Sequence, residues 1–154
     1  MADYPKYIIT EPIANSHNKD AEGRTIRRNI FMLDGVQVPN APYAAATWYS
    51  LDDQPEQPAH THDFDEYLSF IGTDPENPED LGATATMLLG EEWIDIEKSC
   101  LIFIPAGMPH SVFAVKNLRR PFLSFTGGET KEAYVSKSEN EIRTIGAEGL
   151  KSTK

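Results

Sequence analysis

The chain is poor in the two side chains that most often build reactive or cross-linked sites: its 154 residues include one cysteine, Cys100, and four histidines. A single thiol excludes an internal disulfide. At this length one domain buries about 70% of the surface of its unfolded chain without that help. Such cysteine usage fits a reducing cytoplasm. No apolar run approaches the ~20 residues of a membrane-crossing helix. The opening MADYPKYIITEPIANSHNKD lacks the basic and apolar regions of a secretory signal, so no membrane partner is expected. Cationic residues are also scarce, 14 Lys and Arg against 24 Asp and Glu, for a net charge of −10. The only arginine pairs are Arg27–Arg28 and Arg119–Arg120. A phosphate backbone needs a clustered basic surface, so nucleic acid is not an expected partner. An acidic surface slows highly charged anions, which leaves a small neutral or modestly charged molecule as the favoured ligand. Ser-His-Asp spacing, a phosphate loop and a dinucleotide fingerprint are all missing.

What is present reads as strand. From Asn29 onward, short apolar runs alternate with turn residues: NIFML, YAAATWYSL, EYLSFI, ATATMLL, WIDIE, CLIFI, SVFAV and FLSFT. Gly, Pro, Asp and Asn recur too often between them for long helices, while their β-branched and aromatic content suits strands. Some eight antiparallel strands without helical crossovers predict an all-β sandwich or small barrel. CLIFI is apolar throughout and is expected to be buried on both faces or to pass through a barrel wall. Residues 1–25 read as an N-terminal arm, with one short strand at KYIIT. Residues 26–135 form the single β domain. Residues 136–154 lose the alternation and read as a C-terminal tail with a short helix near SENEIRTI.

Two of the four histidines fall one residue apart in PAHTHDFDEYLSF, and a third closes IPAGMPH. Side chains repeat every two residues in a strand, so His60 and His62 share a face. Glu66 joins them if DFD turns the chain into a neighbouring antiparallel strand. His110 becomes a fourth member if its strand lies alongside, with the preceding proline and glycine shaping the approach. Three imidazoles and a carboxylate suit one divalent transition ion, Fe, Ni, Mn, Zn or Co. They leave coordination positions open, unlike a closed structural zinc site. His17 sits in a polar stretch and reads as solvated. Asp63 and Asp65 read as solvated turn residues, with a supporting role behind an imidazole as the alternative.

HTHDFDE, with Gly72 after five intervening residues, resembles the first motif of the cupin family. PAGMPH resembles the second. The resemblance spans about residues 43–125 and departs from the pattern at Gln54 and Ser99, where turn glycines are usual, and at Ala114, where asparagine is common. It implies a cupin double-stranded β-barrel, jelly-roll-like, with His60, His62, Glu66 and His110 as metal ligands. It also implies a homodimer. Cupins carry many chemistries, so the implied function is broad. The reading is a metal-dependent enzyme acting on a small organic molecule, of dioxygenase, isomerase or lyase type, with no catalytic base assigned. The alternative is a non-catalytic small-molecule-binding or sensing cupin. Tyr43, Trp48, Phe70, Met108 and Phe113 are candidates for the pocket wall. The segment GTDPENPEDLG, 72–82, reads as an extended hairpin and a proline-stiffened rim loop, with a lid over the pocket as its sharper alternative.

Overall fold

The structure, a computed structural model, describes residues 4–10, 17–55, 58–131, 134 and 137–138. Eleven strands are present among them: β1 His17–Lys19, β2 Thr25–Leu33, β3 Tyr43–Tyr49, β4 His60–Thr61, β5 Glu66–Ile71, β6 Asp80–Leu89, β7 Glu92–Lys98, β8 Cys100–Ile104, β9 His110–Lys116, β10 Phe122–Gly128 and β11 Lys137–Ser138. Six form one sheet in the order β1-β2-β3-β10-β5-β8, and five form another in the order β11-β4-β9-β6-β7. Every pairing between them is antiparallel.

Alternation drives the closure. On β5, Glu66, Leu68 and Phe70 face inward while Tyr67 and Ile71 face out. Leu68 and Phe70 join Tyr49, Leu81, Met87, Ile104, Val115 and Phe122 in one core fed by both sheets. Phe122 stacks on Tyr49 with ring centroids 4.8 Å apart and meets Phe70 edge-on, an arrangement that suits aromatic quadrupoles. Between β6 and β7 the chain reverses at Gly90, whose φ of +66° lies in the left-handed region that glycine enters without strain.

The structure corrects three expectations. KYIIT forms no strand: Tyr4–Tyr7 is a 3-10 turn closed by Ile8 N–H donating to the Pro5 carbonyl. CLIFI is not buried on both faces. As β8 it is the edge of the six-stranded sheet, and Leu101 and Phe103 are 72% and 63% exposed. Only its inward side packs on the core, through Ile104 and Ile102. Residues 72–82 do not extend a hairpin either, because β5 and β6 lie in different sheets and the segment carries the chain from one to the other. The expected helix near SENEIRTI and most of the tail lie outside the described residues, although Lys137–Ser138 pair with β4.

Candidate metal centre

The four ligand-type side chains meet at one end of the barrel, at the seam between the sheets. His60 on β4 and His110 at the start of β9 are direct partners across the five-stranded sheet. His62 follows just beyond β4. Glu66 is not its ladder neighbour, as the sequence reading had it. β4 and β5 belong to opposite sheets, so residues 63–65 form a corner and Glu66 reaches in from the facing wall. The imidazole donor atoms of His60, His62 and His110 lie within 4.8 Å of one another, close enough to bind one metal ion. Glu66 Oε2 is 2.9 Å from His110 Nε2 and 3.2 Å from His62 Nε2, and all three side chains are almost fully buried.

Two loops hold this arrangement. Gly107, at a φ of +81°, turns the PAGMPH segment. Its N–H donates to the His62 carbonyl at 2.8 Å, and the neighbouring Ala106 N–H donates to Asp65 Oδ1 at 2.9 Å. The first motif is thereby bonded to the second. Asp65 is exposed, as the sequence reading has it and as Asp63 is, yet its carboxylate is the side chain that ties the two loops. Phe64 lies parallel to His62 with centroids 4.9 Å apart, and it packs where a Cβ on Gly128 would stand. Tyr134 stacks on Tyr43 at 4.0 Å and brings its hydroxyl to 3.2 Å from His62 Nε2.

The protonation pattern follows from these contacts. His110 Nδ1 lies 2.9 Å from the Met108 carbonyl, which makes Nδ1 the donor and points Nε2 at Glu66. His60 Nδ1 makes a longer contact of 3.4 Å to the Pro58 carbonyl. Burial, then the neighbouring His110 and His62, hold the His60 imidazole down to about 4, so it is neutral at physiological pH. For Glu66, burial opposes ionisation, but contacts with His110 and His62 outweigh it and bring the carboxyl down to about 2. Burial pushes the Tyr43 hydroxyl up to about 12 and raises Tyr134 as well, so both phenols stay protonated.

Glu66 Oε2 and His110 Nε2 are buried and, among the described residues, have no hydrogen-bond partner of acceptable geometry, despite facing each other at 2.9 Å. A carboxylate oxygen and an imidazole nitrogen held so close without a hydrogen bond of acceptable geometry need a cation between them, a proton or a metal ion. Right-angle neighbours on an ion with bonds of about 2.1 Å stand about 3.0 Å apart. The donor set and its spacing suit a divalent transition ion.

A cavity of about 410 Å³ opens from this point and is lined by His60, Glu66 and His110 together with the inner faces of β2, β3 and β10. Of the aromatic and sulfur candidates for its wall, Tyr43 lines it. Phe70 is fully buried in the core and Met108 packs against that core. Trp48 is out of phase with the inward-facing Thr47 and Tyr49, and the Phe113 side chain lies outside what is described. The wall is instead mixed, with Arg27, Asn29, Thr47, Ser124 and Thr126 beside Met32, Leu68 and Met87. Polar residues at alternate positions in IRRN and LSFT were the signal for its polar part, since period-2 polarity marks one face. It could not say that this face looks into a cavity.

Residues 72–79 cannot cover the centre. They follow the far end of β5, about 17 Å of strand away from Glu66. There Ser99, in place of the usual turn glycine, accepts from Gly72 N–H at 2.8 Å and donates to the Pro78 carbonyl at 2.5 Å. No described helix is long and apolar enough to cross a membrane.

No protein-family model matches the chain, and no curated protein matches it in sequence. Solved structures match it in fold. An oxalate oxidase superposes with a TM-score of 0.52 at 12% identity, over 85% of this chain and 62% of its own. A point mutant of Bacillus subtilis oxalate decarboxylase gives 0.51 at 14% identity, over 92% of this chain and 35% of its own. A cupin-2 domain from Rhodospirillum rubrum gives 0.42 at 10% identity, over 80% of this chain and 72% of its own. The chain therefore spans less than two thirds of the length of either oxalate enzyme. At such identities the likeness concerns fold alone. With two facing antiparallel sheets and both motif loops meeting at their seam, this chain has the cupin β-barrel fold.

Proposed function

We propose that the protein is a metal-dependent enzyme acting on a small organic molecule, of dioxygenase, isomerase or lyase type. His60, His62, Glu66 and His110 hold one divalent transition ion. The observation that carries this reading is the buried pair Glu66 Oε2 and His110 Nε2, facing each other at 2.9 Å without a hydrogen bond of acceptable geometry, beside two further imidazoles. Bound there, such an ion supplies Lewis acidity toward a carbonyl, a hydroxyl or water. The chain's own residues do the rest. The Met108 carbonyl fixes the His110 tautomer, Glu66 enters ionised, and Phe64 and Tyr134 pack against His62. The cavity is of a size that takes a small ligand.

A homodimer belongs to the same proposal. It is supported by the outward apolar strip of Tyr67, Ile71, Leu101 and Phe103 beside the β8 edge. A reducing compartment such as the cytoplasm is supported by the lone cysteine.

The test is the metal content of protein purified without chelator or affinity tag, beside a His60→Ala/His110→Ala variant. Near-stoichiometric ion in the wild type and its loss in the variant are expected. Iron would direct the next assays to oxygen consumption, and nickel, manganese, zinc or cobalt to isomerisation and lysis. Tight ligand retention without consumption would instead assign a binding or sensing cupin. A wild type that stays metal-free after anaerobic reloading with each ion overturns the proposal.

A further inference from the structure

The cavity has two poles. At one stand His60, His110 and Glu66. On the wall of the six-stranded sheet stands Arg27, and apart from the histidines these two are the only charged residues among the described ones lining the cavity. Arg27 is half-buried on β2 and lines the cavity together with Asn29, while Arg28 and Asn29 are both exposed. Its side chain is 19% exposed, so the guanidinium has lost most of its water and must be matched by protein or ligand.

The protein matches it only in part. Asp53 Oδ2 lies 3.3 Å from Nη1 but makes no hydrogen bond of acceptable geometry among the described residues. Asn18, with its amide turned as its neighbours favour, accepts from Nε–H and Nη2–H. A guanidinium carries five N–H groups in a planar fork. Asn18 uses two of them, and the Tyr49 hydroxyl lies in hydrogen-bond contact with the guanidinium as well. The wall also carries three hydroxyls: Thr47, which donates to Asn29 Oδ1, Thr126, which pairs with Tyr43, and Ser124. Charge points the same way. A doubly charged ion with Glu66, and Arg27 with Asp53, together leave one net positive charge inside the barrel, which one carboxylate neutralises.

We propose that the cavity takes a small organic acid whose carboxylate is bound by Arg27 while another oxygen-bearing part of the molecule faces the histidine pole. This rests on the metal-centre reading above and adds the substrate class to it. The rival explanation is that Arg27 and Asp53 are a structural ion pair and nothing more. A planar fork matched to a carboxylate predicts discrimination that an ion pair alone does not.

The probes are 2-hydroxydicarboxylates of four to seven carbons and their ω-monoamides, titrated by calorimetry into protein loaded with the ion it retains. The hydroxyacid end suits a metal ion, and the graded length varies the reach from that pole to Arg27. At one chain length the diacid is expected to bind about tenfold to a hundredfold more tightly than its amide. Arg27→Gln alone leaves Asp53 without its cation, so the Arg27→Gln/Asp53→Asn variant is used beside it. Both variants should retain the metal and lose the preference, and Arg27→Lys should keep part of it. Equal binding of acid and amide at every length overturns the proposal, as does a preference that survives in the double variant. If the wild type retains no ion, the metal-centre reading fails separately. The same comparison on metal-free protein then decides this proposal by the same criterion, the presence of a preference and its loss with Arg27.

Discussion

The two ends of the barrel both gather charged side chains, yet they differ in how those charges are matched. At the end bearing residues 72–79, Asp80 receives Arg120 at 2.6 Å and Arg119 at 3.0 Å, and its carboxyl is held below the usual range by Arg120 first. One donor, Arg120 Nε, is left over there among the described residues. At the other end, three imidazoles and a carboxylate crowd together with no arginine or lysine among the described residues in ion-pair contact with Glu66. A dense cluster of charge is thus no guide to function. A structural cluster satisfies itself, whereas a site built for a guest leaves lone pairs aimed at a common point.

That contrast can be broken most sharply at His60 and His110. Their joint replacement by alanine should abolish metal retention, and elemental analysis showing undiminished metal would place the ion elsewhere. The next effect is on pH. His60 holds its proton more weakly in the fold, at about 4, than the ordinary value of 6.5. The unfolded chain therefore binds more protons between these values, and the metal-free protein should lose stability as pH falls from 6.5 toward 4. His60→Gln should flatten that part of the melting-temperature profile, and an unchanged slope would show that His60 does not cause it. Smaller again is Asp65→Ala, which removes the acceptor of Ala106 N–H. A cost of about 1 kcal/mol in denaturant unfolding is expected, with metal affinity lowered about tenfold. A loss of stability at undiminished affinity would show that the tie between the loops does not position the ligands. Least is expected at the opposite end. Asp80→Asn should lower the melting temperature slightly and leave metal content unchanged, and a loss of metal there would erase the distinction between the two ends.

Much of this was legible in the sequence because it is local. The eight apolar runs became eight strands, and the inward phase of Glu66, Leu68 and Phe70 follows from alternation within one strand. The motif spacings drew attention to the same three histidines that the fold brings within 4.8 Å. What was not legible depends on which strand lies beside which. CLIFI looks like a buried strand, and only its place at the edge of a sheet explains why Leu101 and Phe103 meet solvent. Nothing local says that β4 and β5 belong to opposite sheets, so Glu66 was expected along a ladder when it comes from across the barrel. The polar part of the wall was hidden for the same reason. Arg27, Thr47 and Ser124 come from three strands far apart in sequence and become neighbours only through the pairing of β2, β3 and β10.

The position of the ligands at the seam has a further consequence. His60 and His110 belong to one sheet and Glu66 to the other, so an ion gripped by all three fastens the sheets as a cross-link would, in a chain whose single cysteine cannot form one internally. Such a fastener is reversible. It stabilises the folded form by mass action in proportion to the logarithm of free metal concentration. The melting temperature of this protein would then serve as a gauge of its metal supply, and a chelator would act on it as a reductant acts on a disulfide-stapled domain.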